Sequence, residues 1–331
     1  MRTATMPENG IKVLYLSHAG GDLYDLIRRA GGSDFDLVFL QADDDAERCA
    51  KIADCAAVIC ASTPLRAHHL EAARRLEVVH HQGVGWQDTT DWQEIKRRGL
   101  PLALTPEGTT DGVAEHTILL MLAAAKRLSF ADAALRRGEW HVNALRGVSR
   151  ELCGKTIGYV GMGRIARAVA ERLKAFGCCG LYCDPEVRLS DEEEASLGLR
   201  AGSYEAVLAA ADVLTFHLPL TPGTRGLLDR AALSRLKPGA IVVNTARGGI
   251  IDEPALAEAL RDGHVLAAGL DVFEQEPPRP DNPLLALSNV VLTPHIAAGT
   301  SDTMDKKMQA IFTNLRRFFA TGELANRVRF P

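Results

Sequence analysis

The feature that most constrains this chain is the regular alternation of short apolar runs with amphipathic stretches of helical period. Ile11–Ser17, Leu37–Leu40, Val58–Cys60 and Val78–His81 read as strands, with helical text such as Leu23–Arg29 between them. A second series runs through Thr156–Val160, Gly180–Asp184, Val213–Phe216, Ala240–Asn244, Val265–Leu270 and Val290–Leu292. Alternation of this kind calls for parallel sheets joined by crossover helices, an α/β architecture. At 331 residues the chain has room for two such domains. Between the two series, the apolar stretch Val113–Leu128 predicts a buried connecting helix. Arg136–Arg150, around Trp140, shows no clear period and reads as an extended arm. One helix is sharply bounded, with Asp252 as its N-cap, Pro254 in its first turn and Gly263 closing it. A last helix is expected near Ser301–Ala320.

Composition removes several classes of function. The formal net charge of −4 comes from interspersed charges, and no basic patch of the kind that grips nucleic acid is visible. No apolar run is long enough to cross a bilayer; Ile118–Ala125 would span less than half of one. Met1–Gly10 is polar and holds no apolar signal core, and the seven cysteines show neither a CxxC pair nor zinc-finger spacing. A cytoplasmic enzyme with reduced thiols and no metal, nucleic-acid or membrane partner is therefore the expectation.

The most specific local signal follows the strand Thr156–Val160. There Gly161-Met162-Gly163-Arg164-Ile165-Ala166 opens a helix running to about Phe176. The first glycine permits a tight turn, the second lets backbone approach a pyrophosphate, and a small third residue allows close helix–sheet packing. The helix N-terminus supplies unpaired N–H groups and the positive end of its dipole. The next strand ends at Asp184, where a carboxylate can accept from both ribose hydroxyls and would repel a 2′-phosphate. NAD is favoured over NADP, although Arg164 and Arg188 lie near in sequence. The competing reading is that Asp184, directly before Pro185, only starts a turn.

Three further strand ends carry chemistry. Asn244-Thr245-Ala246-Arg247-Gly248-Gly249 puts Arg247 at a carboxyl edge, where its fork suits a carboxylate, unless it pairs locally with Asp252. Gly269–Pro277 carries Asp271, Glu274 and Glu276, and Leu292–Ala297 carries His295. Histidine gives and takes protons near neutrality, and a neighbouring carboxylate stabilises its imidazolium form.

These segments, with Gly83-Val84-Gly85, Val113-Ala114-Glu115 and His217-Leu218-Pro219-Leu220-Thr221, closely resemble the D-isomer-specific 2-hydroxyacid dehydrogenase family. That family includes glyoxylate/hydroxypyruvate reductases, D-lactate dehydrogenases and phosphoglycerate dehydrogenases. The resemblance covers about Val78 to Thr300. It implies two doubly wound parallel-sheet domains with a cleft between them. One is a Rossmann NAD-binding domain at 112–296; the other is a flavodoxin-like substrate domain at 1–111 plus 297–331. It implies hydride transfer between nicotinamide and C2 of a small D-2-hydroxy or 2-oxo acid. Arg247 would bind the carboxylate, His295 would be the acid–base, and Glu276 its partner. Gly83 and Val84 would contact substrate through backbone, together with Arg247 and His295. Cofactor contacts are implied at Thr110, Gly161, Met162, Gly163, Arg164, Ile165, Asp184, His217, Pro219, Thr224, Thr245, Ala246, Arg247, Asp271 and His295, with Asp271 holding the nicotinamide carboxamide. A homodimer is implied, with Arg136–Arg150 as its contact. The chain departs from the pattern in Gly85–Asp91, which carries an extra residue, and in Trp86 and His80-His81, which either shape the substrate pocket or pack in the interior. It ends at Pro331, so the regulatory C-terminal domain of many phosphoglycerate dehydrogenases is expected to be missing. Formate-dehydrogenase-like relatives carry Gln where Glu276 stands. A phosphite-oxidising relative and an NAD-sensing corepressor-like scaffold both keep the triad and remain alternatives.

Overall fold

Runs such as Ala57–Cys60 and Ala240–Asn244 are buried at every position, so these strands need cover on both faces. In the structure, a computed structural model that describes residues 10–61 and 63–331, the cover comes from helices. Except for Gly10, the polar stretch Met1–Gly10 lies outside the described residues. The chain divides into two units, one formed by the described residues up to Thr109 and from Thr300 onward, the other by Thr110–Gly299.

The first unit holds β1 (Ile11–Tyr15), β2 (Phe35–Val38), β3 (Ala57–Cys60), β4 (Val78–His81) and β5 (Leu102–Leu104). They form one parallel sheet in the order β2-β1-β3-β4-β5. That is the flavodoxin-like order. The final helix, Ser301–Thr321, returns to this unit and buries Met308, Ile311, Phe312 and Leu315 against the helix Gly21–Gly31 and the sheet. Trp86 packs edge-on to Trp92 and Phe330. His80 and His81 are buried.

The second unit holds β6 (Thr156–Val160), β7 (Cys179–Cys183), β8 (Leu199–Ala201), β9 (Val213–Phe216), β10 (Ala240–Asn244), β11 (Val265–Leu270) and β12 (Val290–Leu292). Their order, β12-β11-β10-β9-β6-β7-β8, is parallel throughout. The order reverses between β6 and β9, the switch point at which such sheets bind dinucleotides. Alternate residues of β9 feed two cores, Val213 toward one face and Leu214 and Phe216 toward the other. The helix Glu253–Arg261 starts behind Asp252, whose side chain accepts the Ala255 N–H at 2.9 Å.

Two expectations need correction. Arg136–Arg150 is not an extended arm, because the helix Leu128–Arg136 ends within it and Val142–Val148 forms another. Both are short surface helices, and Trp140 is exposed, so no apolar period marks them. β5 and β8 were not foreseen, because Pro101 directly precedes the one and charged Arg200 sits inside the other.

Candidate active site

The glycine turn is built by close backbone approach. Gly161 sits at φ +94°, and a Cβ there would lie 2.6 Å from the carbonyl oxygen of His217 at the end of β9. Only glycine allows both the left-handed backbone and that approach. Gly163 then caps the helix Arg164–Leu173 with no side-chain hydrogen bond, and a Cβ on it would meet open space. The first N–H groups of this helix therefore face outward uncapped, and buried Ala166 seats the helix on the sheet. Ile165 packs beside it at the edge of the same core, and Arg164 is exposed. An uncapped helix start, an open glycine and a switch-point position fit a dinucleotide pyrophosphate.

Asp184 makes the turn that the competing reading expected. Its Oδ2 accepts the Met162 N–H at 2.7 Å, bracing the glycine turn, while Oδ1 accepts the Glu186 and Val187 N–H groups. The Met162 N–H is thus spent inside the protein. So is the Thr224 hydroxyl, which donates to the Pro219 carbonyl and accepts the Thr221 N–H, both at 2.7 Å. His217 is partly buried beside Thr215 Oγ1, and loss of solvent around its ring pushes the imidazole down to about 3. It stays neutral at physiological pH.

The second cluster forms where β10, β11 and β12 end. Asn244 shapes the Arg247 turn, its Oδ1 accepting the Ala246 N–H and its Nδ2 donating to the Arg247 carbonyl. Thr245 turns inward to Thr117 Oγ1 at 2.7 Å. Gly248 is the closest approach in this cluster, because a Cβ there would fall 1.7 Å from the Phe273 carbonyl oxygen. The loop carrying Arg247 is thereby pressed onto the loop carrying Glu276.

His295 Nδ1 lies 2.7 Å from Glu276 Oε2, and Glu276 Oε1 accepts the Phe273 N–H at 3.1 Å. An ionised carboxylate only accepts, so Nδ1 carries the proton and Nε2 is left for other chemistry. Burial raises the Glu276 carboxyl. The His295 hydrogen bond and charge, the Phe273 N–H and the Arg247 charge together outweigh it and hold the group below the usual carboxylate range. His295 itself stands at φ +53°, a backbone region that histidine seldom occupies.

What holds it there is Asp271. This carboxylate is 0% exposed; Oδ1 accepts from Thr293 Oγ1 at 2.6 Å and from the Ile296 N–H at 2.9 Å, and Oδ2 accepts from the Ala297 N–H at 2.9 Å. Its backbone carbonyl takes the His295 N–H at 2.8 Å. The Asp271 oxygens expected to hold a nicotinamide carboxamide are thus engaged by donors of the protein itself in this structure. Burial raises its carboxyl too, but His116 and the other donors keep it below its ordinary value. His116, whose Nε2 donates to Thr293 Oγ1 at 2.9 Å, was missed in sequence. So was buried Glu253, which takes the Glu274 N–H and the Asn282 amide at 2.6 Å each. Thr110 lies in the first turn of the helix Thr109–Ala125. Gly83 and Val84 follow β4 in the other unit, where the Gly83 N–H donates to His81 Nδ1.

Residues 118–297, more than half of the chain, match the family model described as D-isomer specific 2-hydroxyacid dehydrogenase, NAD binding domain. The chain belongs to the D-isomer specific 2-hydroxyacid dehydrogenase family. Among family members, the D-3-phosphoglycerate dehydrogenase of Archaeoglobus fulgidus is 44% identical over 247 residues, 75% of this chain and 46% of that one. The glyoxylate reductase of Korarchaeum cryptofilum is 40% identical over 271 residues, 81% of each chain. The TT0316 protein of Thermus thermophilus superposes with a TM-score of 0.84 at 34% identity, covering 96% of this chain and 100% of the other. The chain spans about half the length of the curated phosphoglycerate dehydrogenases it matches. Its second unit contains the family's NAD-binding domain. Among the described residues no helix is long and apolar enough to cross a membrane.

Proposed function

We propose that this protein interconverts a small D-2-hydroxy acid and its 2-oxo acid with NAD. The observation that carries the proposal is the His295–Glu276 pair at 2.7 Å, set beside the charge of Arg247. NAD, when bound, exchanges a hydride with C2 of the substrate. Arg247 holds the carboxylate and fixes the carbonyl carbon for attack. As the carbonyl oxygen gains charge, His295 gives it the Nε2 proton. Glu276, kept ionised, stabilises the imidazolium before transfer and fixes the ring afterwards. In the oxidative direction Nε2 takes the hydroxyl proton back.

The helix start at Arg164 and Ile165, the Gly161–Gly163 turn and Asp184 support a site for the NAD pyrophosphate and ribose. Thr110, Met162, His217, Pro219, Thr224, Thr245 and Ala246 stay in the proposal as lining, and Asp271 as the support of His295. The assignment of Gly83 and Val84 to substrate rests on the resemblance alone. A homodimer belongs to the same proposal, supported by the exposed apolar side chains Leu119, Leu128, Leu135, Trp140 and Val142. A cytoplasmic location is supported by seven cysteines that are all free.

The test is NADH oxidation against glyoxylate, hydroxypyruvate, pyruvate, bulkier 2-oxo acids and, in reverse with NAD, phosphite. His295→Ala should lower kcat by about 10³-fold on the best 2-oxo acid while NADH still binds. Turnover of phosphite alone, or undiminished turnover by the variant, would overturn the reading.

A further inference from the structure

Two short helices of the first unit bring together donors that their spacing in the sequence kept apart. Asp45 opens the helix Asp45–Ile52, and Cys49 follows one turn later on the same face. His68 and His69 lie in the first turn of the helix Ala67–Ala72. One donor atom from each of these four side chains lies within 4.8 Å of all the others. His68 Nε2 is 2.7 Å from Asp45 Oδ2, and His69 Nε2 is 2.7 Å from Asp45 Oδ1.

The two histidines are not equivalent. His69 is buried, and its Nδ1 accepts the Arg66 N–H at 3.1 Å, so its proton sits on Nε2 and is directed at Asp45. Loading a metal on that nitrogen would break the Arg66 bond. His68 is half exposed, and its Nε2 can exchange a proton for a cation without that loss. The nearest positive charge, Arg48, is 3.7 Å from Asp45 but is also paired with Asp43.

We propose that Asp45, Cys49 and His68 form a binding site for a zinc-class divalent cation, with His69 as the positioning residue that holds the Asp45 carboxylate. A thiolate, an imidazole and a carboxylate are the donor types zinc prefers, whereas calcium and magnesium favour all-oxygen sets. Bonds of about 2.0–2.3 Å place tetrahedral donors roughly 3.3–3.8 Å apart. The cluster therefore closes by about 1 Å at its widest, a side-chain adjustment. Binding releases the thiol proton of Cys49, and three protein ligands leave a fourth position for water. The bound ion clips the helix Asp45–Ile52 to the helix Ala67–Ala72. None of these residues belongs to the proposed hydride-transfer site, so the two proposals fail separately.

The probe is cobalt titrated into the full-length, metal-stripped protein, followed by zinc competition. One equivalent should bind with a thiolate-to-cobalt charge-transfer band and the intense visible bands of a four-coordinate site. Cys49→Ser should remove the charge-transfer band, and His68→Gln should weaken binding by about 100-fold or more; His69→Gln should weaken it by about 10-fold, the scale of a lost outer hydrogen bond. Zinc at 100 times its Kd should raise the melting temperature of the wild type, and not of Cys49→Ser, by on the order of a few degrees. That shift separates lost binding from lost folding. Absence of binding at micromolar free metal, or a band that survives Cys49→Ser, would overturn the proposal.

Discussion

His80 and His295 both stand toward the carboxyl end of a parallel sheet, one in each unit, and their surroundings make them different chemical objects. His80 is 1% exposed, its Nε2 accepts the Asn314 amide at 3.0 Å, and its Nδ1 faces Thr105 Oγ1. Burial pushes its imidazole down to about 3. His295 has 41% of its side chain exposed and an ionised carboxylate on Nδ1. Neutral partners and burial make a histidine a fixed polar strut. A carboxylate and an open nitrogen make it a proton carrier. Place at a strand end does not distinguish the two; the partner does.

The sharpest way to break this contrast is to remove the partner. Glu276→Gln keeps the shape but leaves an amide that supports an imidazolium poorly, and kcat on the best 2-oxo acid should fall by about 10³-fold. Loss of that charge should also alter the pH dependence of kcat. Steady-state pH profiles of both proteins check this. A profile unchanged in shape and height would mean that Glu276 does not act on His295. Next in size is Gly248→Ala. Its Cβ has no room against Phe273, so the Arg247 and Glu276 loops must part. A displacement near 1 Å costs roughly 10²-fold in rate. The loss should appear in kcat/KM, with NADH affinity by fluorescence changed far less.

Smaller again is Asp271→Asn. An amide nitrogen then faces a backbone N–H of Ile296 or Ala297, and a buried unpaired donor costs about 1–3 kcal/mol. Urea unfolding should register that cost. If Asp271 holds the left-handed backbone of His295, kcat should fall about tenfold as well, by analogy with a lost outer hydrogen bond at a metal site.

These substitutions fall on residues of very different legibility. Val213–Phe216 and Ala240–Asn244 could be bounded from sequence because dense apolar runs flanked by polar residues leave little freedom. Leu102–Leu104 and Leu199–Ala201 could not, because Pro101 directly precedes the one and charged Arg200 interrupts the other. Arg247, Glu276 and His295 were readable as an ordered set of motifs. Their supports were not. His116 reaches Thr293 across 177 residues and Gly248 meets Phe273 across a loop, and only packing creates such neighbours. The metal-type cluster was invisible for the same reason, since two helices contribute two donors each.

The smallest effect tests the other half of the contrast. The unfolded imidazole of His80 titrates near 6.5, whereas the folded one does so only near 3. Between those values the unfolded chain binds a proton that the native protein does not, so stability is full above about pH 6.5 and falls as pH drops toward 3. The slope is about 1.4 kcal/mol per pH unit for each such histidine, and His217 adds the same sign. His80→Gln should flatten the fall of unfolding free energy between pH 6.5 and 5 by up to that amount, measured by urea denaturation, while turnover at pH 7.5 stays near wild type. Glu276→Gln should do the reverse, leaving the acid slope intact while removing turnover. Equal effects of both variants on both measurements would erase the distinction between strut and proton carrier.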